Sequence, residues 1–180
     1  MKIRFAGFGG QGIVLCGVVF GNAAMLDGKN SMQTQSYGSA SRGGLTRSDV
    51  CIQTDTIHDL VYDRFDVLVA LSNPSYLGFR KELAPEGYLF YETDLVEVTE
   101  EDARIGHGIP ATQLAYDRFG RKIMANMIMM GFVNGTVTLA SRESLVRTIR
   151  ASVPPGTEDK NIEAFDLGAS FAESGEGRET

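Results

Sequence analysis

The chain opens on a short strand, Lys2–Gly7, in which Lys2 and Arg4 alternate with Ile3 and Phe5. Glycines follow, and then a helix, Ile13–Leu26, apolar on nearly all faces and therefore expected to be deeply buried. Gly28 stands where a helix C-cap glycine belongs, and Gly17 and Gly21, four apart, predict close approach of this helix to a sheet. Further strands are expected at Asn30–Gln35 and Ser48–Thr54, separated by a Ser36–Arg47 loop, with Ile57–Tyr62 a short strand or turn. Asp66–Ser72 is a continuous apolar run, the mark of a parallel strand covered on both faces.

Asn73-Pro74 breaks that run, and Ser75–Leu83 reads as helix. Pro85-Glu86-Gly87 reads as a turn before a strand at Tyr88–Glu92; Leu95–Val98 and Arg104–Ile109 are weaker strands. Beyond Pro110 the period turns helical: Ala111–Phe119, Lys122–Phe132, Ser141–Ala151 with Ser141 as N-cap, and Asn161–Glu173. Pro154-Pro155-Gly156 separates the last two. Strands alternating with helices predict an α/β fold, a Rossmann-like open and mainly parallel sheet with helices on both faces. Residues 1–180 read as one domain with no repeat or long linker, and 174–180 are expected to fray.

Composition narrows the function. Apolar residues make up 43% and charged residues 22%, which supports a packed core and argues against general disorder. The net charge of −6 leaves no basic footprint for nucleic acid, although Arg42 and Arg47 allow a local pocket for a small anion. Cys16 and Cys51 read as buried residues; without CxxC spacing the chain is expected to hold no iron–sulfur cluster or zinc. No signal peptide is visible, and the longest apolar run, Ile13 to Phe20, is too short to span a bilayer, so the expected location is the cytoplasm, off the membrane.

The chemistry lies in two glycine loops. Gly7, Gly9 and Gly12 match G-x-G-x-x-G between a strand and a helix, a setting that turns backbone N–H groups toward an anion. Dinucleotide binding also requires a carboxylate at the end of the second strand, but the Ser31–Ser36 region has none, and Asp27 comes too early. Gly10 removes a side chain from the loop crown, and Gln11 adds donors and an acceptor. A tight turn needing glycine only for its dihedral angles is the competing explanation. The second loop, Ser36-Tyr37-Gly38 to Arg42-Gly43-Gly44, should converge with the first at the carboxyl edge of the sheet, where Arg42 offers a bidentate donor. An exposed salt bridge would equally explain Arg42. The candidate binding residues are thus Gly7, Gly9, Gly10, Gln11, Gly12, Ser36, Tyr37, Gly38, Arg42, Gly43 and Gly44.

Nothing else forms a catalytic set. His58 and His107 are far apart, and His107, between glycines, reads as a loop residue. Met124, Met127, Met129 and Met130 form a helix packing face or a subunit contact. Asp63, Asp66, Glu100 and Glu101 read as solvated charges, and there is no Ser-His-Asp or Cys-His arrangement.

The spaced motifs Gly7-x-Gly9-Gly10-Gln11-Gly12, Ser36-Tyr37-Gly38 and Arg42-Gly43-Gly44 resemble the gamma subunit of 2-oxoacid:ferredoxin oxidoreductases. The Asp66–Leu71 strand, Ala125-Asn126-Met127 and Asn161–Phe165 extend the resemblance over nearly the whole chain. It implies a multi-subunit enzyme that converts a 2-oxoacid and coenzyme A to acyl-CoA and carbon dioxide, passing electrons to a ferredoxin-type acceptor. Thiamine diphosphate would sit on alpha and beta subunits and the iron–sulfur clusters on beta and delta. The gamma subunit, inactive alone and with no tightly bound cofactor, would pack against them and help hold coenzyme A. The Ser36-Tyr-Gly form resembles 2-oxoglutarate or branched-chain enzymes more than pyruvate enzymes, with 2-oxoglutarate favoured; indolepyruvate oxidoreductases contain a similar domain. A purely structural assembly subunit and a free-standing nucleotide-binding protein are the alternatives, and the isolated chain is expected to form a homodimer.

Overall fold

The computed structural model describes residues 1–37, 44–58 and 62–175. Six strands form one sheet: β1 (Lys2–Phe8), β2 (Asn30–Tyr37), β3 (Leu45–Gln53), β4 (Phe65–Ala70), β5 (Leu83–Glu92) and β6 (His107–Ile109), in the order β2-β3-β1-β4-β5-β6. β1 pairs parallel with β4, β4 with β5 and β5 with β6, whereas β3 is antiparallel to both β1 and β2. The sheet is therefore mostly parallel, as expected, with an antiparallel hairpin on one side. Tyr37 pairs with Thr46, so the expected Ser36–Arg47 loop shrinks as its ends join the two strands.

Seven helices flank the sheet: α1 (Ile13–Leu26), α2 (Asn73–Phe79), α3 (Glu100–Ile105), α4 (Ala111–Phe119), α5 (Ala125–Val137), α6 (Arg142–Ser152) and α7 (Glu158–Ser174). The larger core joins Ile3, Phe5 and Val69 of the sheet to Phe20 of α1, Met127 and Phe132 of α5 and Phe165 of α7. The opposite face carries a smaller core in which Leu68, Leu89 and Tyr91 meet Tyr76 of α2. Helices thus lie on both faces.

The apolar α1 lies on β2 and β3 at the distance its glycines permit. A Cβ on Gly17 would stand 2.1 Å from the Ser48 hydroxyl oxygen, and one on Gly21 2.9 Å from that of Ser31. α6 starts at Ser141, whose hydroxyl accepts from the Ser144 N–H at 3.2 Å. Asp27, just past α1, accepts from the Ser141 N–H at 2.6 Å and the Ser141 hydroxyl at 2.7 Å. The residue that comes too early for a ribose is thus an auxiliary cap for a distant helix.

Several local expectations yield to tertiary structure. Pro85–Gly87 is not a turn between elements but an irregular stretch inside β5, where the register with β4 shifts. No strand forms at Leu95–Val98; Val96 instead packs into the smaller core. Arg104–Ile109 divides into the end of α3 and the three-residue β6, because Thr99 caps an acidic first turn that favours helix. His107 lies in β6, 7% exposed and stacked 5.0 Å from Phe90, rather than in a loop. The Lys122–Phe132 helix becomes a 3₁₀ turn, Lys122–Met124, followed by α5, which runs on to Val137. Met124, Met127, Met129 and Met130 are all buried, as the packing reading expects, so they supply no surface for subunit contact.

Cys16 and Cys51 are free and buried, and burial pushes the Cys16 thiol up to about 12. Among the described residues, no helix is long and apolar enough to cross a membrane.

Candidate functional site

β1 delivers its glycine turn to the carboxyl edge of the parallel strands, the edge at which open α/β sheets bind ligands. The Gln11 N–H donates to the Phe8 carbonyl at 3.2 Å and closes the turn. The Gln11 side chain then braces it: Oε1 accepts from the Phe8 N–H at 2.6 Å, and Nε2 donates to the Leu71 carbonyl at 2.8 Å. Its amide is thus committed to the backbone of the loop and of the chain just past β4. Gly7 makes room for this brace, since a Cβ there would meet Gln11 Oε1 at 2.4 Å.

Gly10 and Gly12 have φ of 95° and 76°, in the left-handed region that favours glycine. Among the described residues nothing lies within 4 Å of a Cβ placed on Gly10, so they leave the crown of the turn open. Gly12 opens α1, which has neither a side-chain cap nor an acidic residue in its first turn. Its first N–H groups are therefore the unpaired donors found at any helix start.

The loop's base meets the β2–β3 hairpin. The Gly9 N–H donates to the Gly44 carbonyl at 3.2 Å, joining residues from the two glycine stretches. The convergence arises from the hairpin, with β2 running the same way as β1 beyond an intervening antiparallel strand, not from neighbouring parallel strands. Ser36 pairs with Arg47 and lines a different groove of about 420 Å³, with Arg4, Thr34 and Asp49. Tyr37 ends β2. Gly38, Arg42 and Gly43 lie outside the described residues.

Beside the open crown is a cleft of about 380 Å³, lined by Gly10, Gln11 and Leu71, by Glu92 at the end of β5 and Leu95 just past it, by Thr112 of α4, and by Lys122, Ile123, Ala125 and Asn126. Its size falls in the range of small-molecule pockets. The four polar residues Glu92, Thr112, Lys122 and Asn126 were not legible as a set, because they come from three separate stretches. The one available signal was a carboxylate directly after an apolar strand at the carboxyl edge.

Glu92 is fully buried. Its Oε2 accepts from the Thr112 N–H and hydroxyl, both at 2.8 Å, and its Oε1 from the Asp94 N–H at 3.2 Å. Asp94 in turn accepts from the Gln113 N–H at 3.0 Å. α4 begins behind Pro110, which makes no side-chain cap, and these two carboxylates take its leading N–H groups. Burial raises the Glu92 carboxyl above the usual glutamate range, against the hydrogen bonds from Thr112. Exposed apolar side chains stand at this edge: Ile123 is 69% exposed, Leu95 43% and Phe8 37%. Among the described residues no group of three His, Cys, Asp or Glu could hold a metal ion.

The family model for pyruvate ferredoxin/flavodoxin oxidoreductase matches residues 2–171. The chain is 40% identical to the 2-oxoglutarate synthase subunit KorC of Methanothermobacter marburgensis, over 97% of this chain and 98% of that protein. Among solved structures, the gamma subunit of a keto/oxoacid ferredoxin oxidoreductase from Geobacter sulfurreducens is 30% identical, with a TM-score of 0.82 over 96% of this chain and 98% of that one. A 2-oxoglutarate:ferredoxin oxidoreductase from Magnetococcus marinus, solved with 2-oxoglutarate, coenzyme A and succinyl-CoA bound, shares the fold. The likeness has a TM-score of 0.86 at 21% identity, over 97% of this chain and 31% of that longer one.

Proposed function

Because this chain belongs to the pyruvate ferredoxin/flavodoxin oxidoreductase family, we propose that it is the gamma subunit of a 2-oxoglutarate:ferredoxin oxidoreductase. In this reading it joins alpha, beta and delta subunits in the cytoplasm and holds coenzyme A at its carboxyl edge. Thiamine diphosphate on the partner subunits supplies the decarboxylation chemistry, and their iron–sulfur clusters carry electrons to a ferredoxin-type acceptor. The observation that carries the assignment is the full-length 40% identity to a 2-oxoglutarate synthase subunit.

What this chain contributes follows from its own residues. The Gln11 brace holds the turn in shape without ligand, and Gly10 leaves its crown open to close approach. An uncapped helix start beside that crown favours an anionic group such as the coenzyme's phosphates. The test is reconstitution of the four-subunit complex and assay of acceptor reduction that depends on both 2-oxoglutarate and coenzyme A. Equal activity without this chain, or activity with pyruvate and none with 2-oxoglutarate, overturns the assignment.

A second reading, an assembly subunit with no ligand of its own, draws on the exposed Phe8, Leu95 and Ile123 at the same edge. It predicts that changes in the loop disrupt the complex and leave the affinity of any complex that forms unchanged.

A further inference from the structure

Asn126 is 8% exposed and lines the cleft. Its Oδ1 accepts from the Met127 N–H at 2.9 Å and so satisfies one donor at the start of α5. Its Nδ2 donates to no group among the described residues. That nitrogen lies against Gly12, the N-cap of α1, only 2.2 Å from where a Cβ on Gly12 would be. Among the described residues no buried side-chain nitrogen or oxygen lacks a partner, so this nitrogen, on a residue that is otherwise nearly buried, is open at the cleft and free to meet a ligand acceptor.

The residue type sharpens the point. At this position an aspartate would accept the same hydrogen bond from Met127. Its charge would favour the N-termini of both α5 and the uncapped α1. Against that gain stand the burial of the new charge and Glu92 in the same cleft, so helix capping by itself gives no reason for asparagine over aspartate. An asparagine instead presents a donor beside Gly12, at the uncapped start of α1. Lys122, four residues earlier, lines the same cleft, is exposed, and has no ion-pair partner among the described residues.

We propose that Asn126 Nδ2 and Lys122, with the N-terminus of α1, form a seat for an oxyanion of the ligand. The inference rests on the functional reading above and deepens it. A phosphate oxygen of the coenzyme and the carboxylate of the 2-oxoacid have the same chemistry for this seat. Glu92, the carboxylate lining the cleft, already accepts three hydrogen bonds and caps the start of α4.

The test uses the assembled complex carrying Asn126→Asp, with Tm and the KM values for coenzyme A and for the 2-oxoacid as readouts. The expected result is an assembled complex with a Tm within a few degrees of wild type and a rise of at least about tenfold in one KM, the effect of losing a hydrogen bond to a charged group. A rise for coenzyme A identifies a phosphate, and a rise for the 2-oxoacid a carboxylate. Lys122→Met should raise the same KM. Both KM values staying within twofold of wild type would overturn the seat, as would loss of assembly, since the amide then faces a partner subunit. The functional reading fails separately, if the wild-type complex does not turn over 2-oxoglutarate; Asn126→Asp is then compared using whichever 2-oxoacid the wild-type complex accepts.

Discussion

Gly131 of α5 and Gly168 of α7 each lie against the other helix's backbone. A Cβ on Gly131 would sit 1.8 Å from the Phe165 carbonyl oxygen, and one on Gly168 1.8 Å from the Ile128 carbonyl oxygen. The contact is reciprocal, so neither helix can yield without moving the other. Gly131→Ala should destabilise the chain by at least about 1–3 kcal/mol, the usual cost of overpacking a filled core. Thermal unfolding followed by circular dichroism should show Tm lower by several degrees; an unchanged Tm would mean that the helices separate easily.

Gln11 predicts a different phenotype. Gln11→Ala leaves the Phe8 N–H and the Leu71 carbonyl without their side-chain partner; water can reach both, so the cost is about 0.5–1.5 kcal/mol for each bond lost. In the complex it should also raise the KM for coenzyme A, since the turn loses its brace. A loss of stability with no kinetic change would limit Gln11 to folding.

Gly10 separates binding from docking. No neighbour among the described residues obstructs a Cβ there, so against them Gly10→Ala carries only the backbone cost of φ 95°, about 1–2 kcal/mol. A complex that assembles but shows a raised KM for coenzyme A supports ligand approach at the crown. Size-exclusion showing free subunits supports the assembly reading instead.

Asp27 should make stability acid-sensitive. Burial alone would raise its carboxyl, but hydrogen bonds from Ser144 and Ser141 outweigh that and hold it below the usual aspartate range. A lowered native value means that the ionised form stabilises the fold above the unfolded-state pKa, and this stabilisation is lost as pH falls through the native value. Urea midpoints should therefore separate wild type from Asp27→Asn at pH 7 and converge in strong acid.

Glu92 has the opposite sign. Its raised carboxyl binds a proton more tightly in the native state, so stability from the neutral form is lost as pH climbs from the unfolded-state value through the native one. Glu92→Gln removes the titration and can still accept from Thr112. Its urea midpoints should vary less with pH across the mildly acidic range than those of wild type; equal slopes would show that Glu92 titrates normally.

Local patterns were readable where they depended on neighbours in sequence. The strand, glycine turn and apolar helix from Lys2 to Leu26 needed no distant partner, and α1 ends where its period does. The Ser141 cap was equally local. The β3 direction was not, because alternation sets which face is buried and not which strand lies alongside. Asn126 could be placed on a helix, but its free nitrogen becomes visible only when α5 meets α1. The Gly131–Gly168 contact was missed for the same reason, since each glycine looks like a helix weakener until the other backbone fills the space.

The bond from Ser141 to Asp27 spans 114 residues, and Lys29 Nζ also reaches the Leu139 carbonyl at 3.0 Å. This places an order on events during synthesis. The first helix is complete early, but it must wait for nearly the entire chain before its trailing carboxylate has a helix to cap. The sixth helix, for its part, gains that cap only on a scaffold already laid down. Such distant closures slow folding, and a ribosome-bound chain lacking the last helices would expose the apolar flank of α1.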